Sequence, residues 1–326
     1  MWTDQLKRNP INYLLDSDNQ VLIHWVERDI LESNQSPAES LWTLPEVEKM
    51  ISKQLEEGSW RYQGNRPGDE LGENYELLQT WKNLRILVEK YGMNQNHSCI
   101  QRAAEFVLSC QTEEGDIRGI LSNQYMPYYM GALMELLIKA GYQNDYRVMK
   151  GFDWLLKMRQ EDGGWIIPMM MFKQKEYYRL CQKTPIPPDK EKPFSHMATG
   201  MVIRAFAAHP EYLTSSAAIT AGNLLKTRFF KKDVYSSRSA VSYWFKFQFP
   251  FWWTDLLTVM DSLMRMDFSA KDLDIRNALD WLIDNQSEWG GWSSRYGKSK
   301  DEDADRWVSF AICRVLKYFL TNLEYG

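Results

Sequence analysis

Cysteine is scarce: four in 326 residues, Cys99, Cys110, Cys181 and Cys313, none of them spaced Cys-x-x-Cys. That excludes a disulfide framework and a cysteine-rich zinc module, and leaves buried free thiols as the expectation. Basic blocks are missing too, since 39 Lys and Arg are interspersed with 43 Asp and Glu for a net charge of -4. A chain with no basic face is a poor partner for nucleic acid. No apolar run reaches the ~18 residues needed to span a bilayer. Met1-Trp-Thr-Asp-Gln-Leu-Lys-Arg8 also lacks the charged-then-apolar order of a signal peptide, so a cytoplasmic protein without a transmembrane segment is expected. Strand signals are few, whereas apolar residues recur at spacings of three and four in nearly every long segment, which predicts an all-α chain.

What the sequence has in excess is aromatic residues, 14% of the chain with 14 Trp and 17 Tyr, gathered near predicted helix ends. It also repeats itself. A phrase of Gln or a stand-in, three residues, Gly, one residue and Trp closes one helix after another: Gln54 to Gly58 and Trp60, Gln111 to Gly115 and Ile117, Arg159 to Gly163 and Trp165, Gln286 to Gly290 and Trp292. A period of this size means stacked supersecondary units, with the Gly leaving each helix through a left-handed turn.

The phrase-bearing helices are expected near 44 to 56, 98 to 112, 145 to 160 and 272 to 287, with a degenerate copy near 214 to 229 that ends in Asp233-Val-Tyr235. They keep a charged face. Between them lie more apolar helices, near 72 to 91, 124 to 141, 194 to 208, 250 to 266 and 305 to 321. A helix apolar on most sides is buried on most sides, so the apolar set predicts an inner ring wrapped by an outer one. The expected fold is an α/α toroid of about five to six inner and outer helix pairs. It is read as a single domain, 1–326, with 1–40 an amino-terminal helical extension and 166–193 a long loop carrying five prolines.

These phrases resemble the Gln-Trp motif of the terpenoid cyclase and protein prenyltransferase superfamily, and the resemblance covers residues 44 to 321. The copy from Arg102 to Gly115 follows the motif throughout, except that Ile117 stands for the final Trp. The resemblance implies a squalene cyclase-like toroid whose mostly apolar central cavity takes an isoprenoid or similar ligand. It also implies a structural role for Gln and Trp. Activity in such proteins comes from acids or metal ligands at the cavity end of the inner helices.

The Asp-x-Asp-Asp acid of squalene-type cyclases has no intact copy here. The nearest approaches are Asp16-Ser-Asp18-Asn19, Asp272-Leu-Asp274-Ile275 and Asp301-Glu-Asp303-Ala-Asp305. Asp18 and Asp274 sit just before helices and read more simply as N-caps. That leaves Asp303 and Asp305 as candidate proton donors, with Asp255 and His196 as polar supports at the starts of neighbouring inner helices. Tyr128, Tyr129, Phe194, Trp252, Trp253 and Trp307 are the candidate substrate-binding aromatics, because π faces suit an apolar or cationic guest. The zinc ligands of protein prenyltransferases are matched poorly; a site built from Cys181, Asp189 and His196 stays open, and no cofactor is indicated. Three functional classes remain: a ligand-binding or cyclase-like toroid, a scaffold that recruits a protein through the 166–193 segment, and an (α/α) barrel carbohydrate enzyme using Asp255 with Asp305.

Overall fold

In the computed structural model, the described residues are 1–33, 36–64, 73–172, 184–235, 238–296 and 301–324. Among them are twelve α-helices: α1 (Ile11–Leu15), α2 (Gln20–Trp25), α3 (Pro45–Ile51), α4 (Tyr75–Glu89), α5 (Ser98–Ser109), α6 (Pro127–Leu137), α7 (Tyr146–Lys157), α8 (His196–Ala208), α9 (Ser216–Lys226), α10 (Leu256–Arg265), α11 (Leu273–Asp284) and α12 (Glu302–Glu324). One short strand, Ile120–Asn123, precedes α6. No helix among the described residues is long and apolar enough to cross a membrane.

Burial divides the helices as their sequences suggest. Every residue of α6 is buried, as is α8 from His196 through Ala207. In contrast, α7 buries only Val148, Gly151, Phe152, Trp154 and Leu155, spaced three and four apart. The fold is thus an all-α toroid. Helices α4, α6, α8, α10 and α12 pack side by side in that order as the inner ring, and α2 lies against α12. The Trp25 indole N–H donates to the Lys90 carbonyl at the end of α4, which brings α2 to the other side of the gap.

The repeat joints draw on a shared set of bonds. The Gln54 amide donates to the Gly58 carbonyl inside its own turn and to the Cys99 carbonyl of α5, the next outer helix. Gln111 does the same with Gly115 and with Arg147 of α7. In the third copy the Arg159 Nε donates to Gly163 O at 2.8 Å in place of the amide. The indoles of Trp60, Trp165 and Trp292 each donate to a carbonyl ten residues earlier, at Met50, Leu155 and Leu282. Their backbone N–H groups donate to hydroxyls of inner helices, at Thr80, Thr199 and Ser309. Those three hydroxyl residues are fully buried, so each joint satisfies a backbone group that water cannot reach.

Two expectations shift. The residues before α2 and α11 are capped by Asn19 and Asp272, not by Asp18 and Asp274. Asp272 Oδ1 accepts from the N–H groups of Asp274 and Ile275, so the motif-like acid pair is a helix start. In the degenerate copy, Trp244 supplies the indole, donating to Lys231 O thirteen residues earlier. Asp233 there caps α8 in trans, accepting from the Ser195 hydroxyl and from the N–H groups of His196 and Met197.

The amino-terminal residues close the ring. Gln286, in the last phrase, donates to Gly290 O and to Arg8 O at 2.8 Å, where the other copies reach the next outer helix. Asn19 Nδ2 donates to Asp303 Oδ1, and Lys317 donates to the carbonyls of Asp29 and Ile30.

Candidate functional site

The segment Phe249-Pro-Phe-Trp-Trp253, just before α10, touches all of the other inner helices. Its Phe249 ring stacks on Trp307 of α12 at 5.4 Å, and Trp252 meets Trp81 of α4 edge-on at 4.8 Å. Trp253 lies 6.1 and 6.3 Å from Tyr129 and Tyr128 of α6. Arg204 of α8 donates to Trp252 O at 3.0 Å and Phe251 O at 3.3 Å, while Arg85 of α4 donates to Pro250 O at 2.7 Å. A segment in contact with every helix of a ring lies inside it. The bore expected to be an open apolar cavity is therefore filled at this level by the chain's own aromatic strap. The reason is chemical: three consecutive inward carbonyls find two guanidinium forks waiting for them.

Above the strap the aromatic residues form one connected shelf. Trp81, Tyr129, Tyr128, Trp253 and Trp252 run ring to ring at 4.4 to 6.3 Å, and of these Trp252 and Trp253 are only half-buried. Cations sit over the two open indoles, Lys82 Nζ at 5.8 Å from Trp252 and the Arg238 guanidinium at 4.4 Å from Trp253. Four of the six predicted aromatics, Tyr128, Tyr129, Trp252 and Trp253, thus come together. Trp307 joins through Phe249. Phe194 stands apart, against Gly164 and under the Arg228 guanidinium at 5.4 Å.

Beneath the strap lies a buried charge network. Glu135 of α6 pairs with Arg204 at 2.5 Å and accepts from Lys139 at 2.7 Å, and Lys139 also reaches Glu89 at 2.6 Å. Burial pushes the Glu135 carboxyl up, and the Arg204 and Lys139 charges more than reverse it, holding it below the ordinary range. Burial, with Arg204 beside it, pulls the Arg85 guanidinium down to about 10. Sequence reasoning missed Trp81, Arg85, Glu135 and Arg204. The signal was present: a lone charge in an otherwise apolar inner helix has to be paired.

The predicted polar residues occupy separate places. His196 is buried with its ring 4.5 Å from Trp244 and its Nδ1 3.7 Å from Asp233; burial lowers its pKa, which favours neutral imidazole. Asp305 is buried and accepts from the Ser294 N–H at 2.7 Å. Asp303 is exposed, bonded to Asn19 and 3.6 Å from Lys90, in a rim cavity of about 560 Å³ shared with Asp16, Asp18 and Glu302. Asp255 caps α10 in a reciprocal pair with Thr258. Among the described residues, no hydrogen bond or ion pair joins any two of these four. Of the open zinc set, Cys181 lies outside the described residues, and Asp189 gives its side chain to the Glu191 N–H and its carbonyl to Gln160. No group of three His, Cys, Asp or Glu that could hold a metal occurs among the described residues.

Burial raises the Asp255 carboxyl from its ordinary 3.8 to about 8, so the folded protein holds a neutral acid there at neutral pH. A raised carboxyl binds its proton more tightly when folded. Its contribution to stability is full below the unfolded value and is lost as pH rises toward 8. The expected slope between those limits is ~1.4 kcal/mol per pH unit. Denaturation curves at pH 5, 6 and 7 should show that slope in the wild type and its loss in Asp255→Asn; parallel curves would place an ionised carboxylate at the cap.

Set beside known families, residues 127–309 match the profile of the squalene-hopene cyclase C-terminal domain. A solved structure described as a protein from Actinoplanes is similar at 14% identity, covering 86% of this chain and 87% of that one with a TM-score of 0.45. A comparison with curated proteins finds no match.

Proposed function

The chain belongs to the squalene-hopene cyclase C-terminal domain family, and on that premise we propose that it binds an isoprenoid or similarly apolar molecule on the aromatic shelf at the mouth of the ring. The observation that carries this reading is the half-buried pair Trp252 and Trp253, backed by Trp81, Tyr128 and Tyr129. The two half-buried indoles offer an apolar contact surface backed by three buried rings, with Lys82 and Arg238 already over their π faces. The ligand lies over the strap instead of passing through it. The reading takes residues 1–326 as one cytoplasmic toroid domain that needs no resident cofactor.

The test is native mass spectrometry of the purified protein with solvent extraction, followed by tryptophan fluorescence titration with farnesol. A co-purifying apolar molecule, or saturable quenching that weakens at least tenfold in Trp252→Ala or Trp253→Ala, supports the reading. An empty protein whose fluorescence ignores farnesol sinks it and favours the scaffold, with the 166–193 segment as the surface to delete.

A catalytic version is favoured by one observation, the Asp255 carboxyl kept neutral by burial two residues from Trp253. A neutral acid can pass its proton to an alkene as the new C–H bond forms, leaving a carboxylate behind. Asp303 and Asp305 remain the competing donors. Incubation with squalene should give product that Asp255→Asn abolishes while shelf binding persists. Product formation lost only in Asp303→Asn or Asp305→Asn would move the acid to α12.

A further inference from the structure

At the carboxyl ends of α10 and α12, a cavity of about 540 Å³ opens beside the turn that follows α2. Its walls carry four cations, Arg28, Arg265, Arg314 and Lys317, and a single acid, Asp29, over an apolar patch from Met264. The aromatic shelf lies at the opposite ends of these helices, so this cavity plays no part in the function proposed above.

The way the cations are held is informative. Asp261, buried behind the wall, splits its carboxylate between two of them: Oδ2 accepts Arg265 Nε at 2.8 Å and Oδ1 accepts Arg314 Nη2 at 2.9 Å. Each guanidinium is anchored through one nitrogen. Among the described residues, both terminal nitrogens of Arg265, and Nε and Nη1 of Arg314, have no hydrogen-bond partner. Arg28 is anchored likewise, with Nε on Asp29 at 2.6 Å and its guanidinium 3.9 Å over the Trp25 ring. Lys317 spends its donors on the Asp29 and Ile30 carbonyls and on Glu32, so it supplies charge without a free donor. Tyr318 donates to Asp267, which engages that nearby carboxylate. Four cations are therefore contacted by three carboxylates, with one shared.

Guanidiniums fixed at one edge and open at the other match a tetrahedral oxyanion, because the fork is oriented before the ligand arrives and little side-chain entropy remains to be lost. We propose that this cavity binds a phosphate-type anion, bridged by Arg265 and Arg314 with Arg28 closing the third side. A soluble phosphorylated molecule and a phospholipid headgroup present the same chemistry, and the experiment separates them.

The full chain is titrated with inorganic pyrophosphate by calorimetry at constant ionic strength, and in parallel tested for sedimentation with phosphatidic acid vesicles against phosphatidylcholine vesicles. Saturable one-to-one pyrophosphate binding is expected, at least tenfold weaker in Arg314→Gln and several-fold weaker in Arg28→Gln. The second variant leaves Asp261 with both of its partners and guards against a folding defect. Lys232→Gln, an exposed lysine elsewhere, should bind as wild type. Vesicle capture that Arg28→Gln abolishes, without pyrophosphate binding, supports the same site with a headgroup as its source. The proposal is overturned by the absence of both signals, or by binding that neither arginine variant weakens.

Discussion

Replacing Glu135 by Gln is expected to destabilise the protein by ~3–5 kcal/mol, the range for removing one partner of a buried ion pair and stranding the other. Glu135 is 2% exposed and, among the described residues, the only carboxylate paired with Arg204, which is itself 3% exposed. Gln keeps the shape and loses the charge, so Arg204 would retain only the neutral strap carbonyls as partners. Lys139 would lean on Glu89 alone. The denaturation midpoint measures the loss, and near-ultraviolet circular dichroism reports the strap, because Arg204 donates to the Trp252 carbonyl and lies 5.7 Å from the Phe251 ring. Removing both charges, Glu135→Met with Arg204→Met, should recover part of the stability while releasing the strap. A loss below ~1 kcal/mol in Glu135→Gln, the range of exposed pairs, would mean that water reaches the network.

The glycine of the first phrase should tolerate substitution worst. A Cβ added at Gly58 would stand 2.1 Å from the Arg102 carbonyl oxygen of α5, and its φ is +96°. Gly290, the equivalent residue of the last phrase, has φ +94°, but its nearest neighbour, Asn9 O, lies 3.6 Å away. Both alanine variants carry the left-handed backbone penalty of ~1–2 kcal/mol. Only Gly58→Ala must also push two helices apart, which adds ~1–3 kcal/mol or more of overpacking. Thermal midpoints of the two variants isolate that second contribution. Equal losses would show that α5 yields without cost and that the joints are looser than their bonds imply.

The toroid was legible because its joints are local. A Gln amide bonding four residues ahead and an indole bonding ten residues back span only one helix end and its closing phrase, so local composition reports the geometry. The apolar inner helices were equally readable, since burial on all sides needs no partner to be named. The strap was not. Trp252 and Trp253 read as aromatic lining at a helix start, and whether such residues line a bore or fill it depends on Arg85 and Arg204, far away in sequence. Tyr128, Tyr129, Trp252 and Trp253 stand out by aromatic content, and the structure brings their rings together. Their backing by Trp81 required knowing that α4 faces the strap. The caps were misplaced by one or two residues because Asp and Asn crowd the same turns, and local geometry alone chooses between them. Asp233 reads in sequence as the end of a degenerate copy, whereas it holds the start of α8.

The closing joint has a consequence for how the protein is made. Gln286 meets Arg8 across 278 residues of sequence, and α12 holds the first thirty residues through bonds of similar span. Synthesis delivers α2 well before α12, against which it docks. The helix pairs in between can associate with neighbours as they emerge, but the seam bears the largest loop-closure entropy in the chain. The ring is then completed in a single late step, and until that step α2 has no α12 to cover it. Refolding should follow suit, with helicity recovered quickly and the Trp25 environment recovered last, at a rate set by this one long-range encounter.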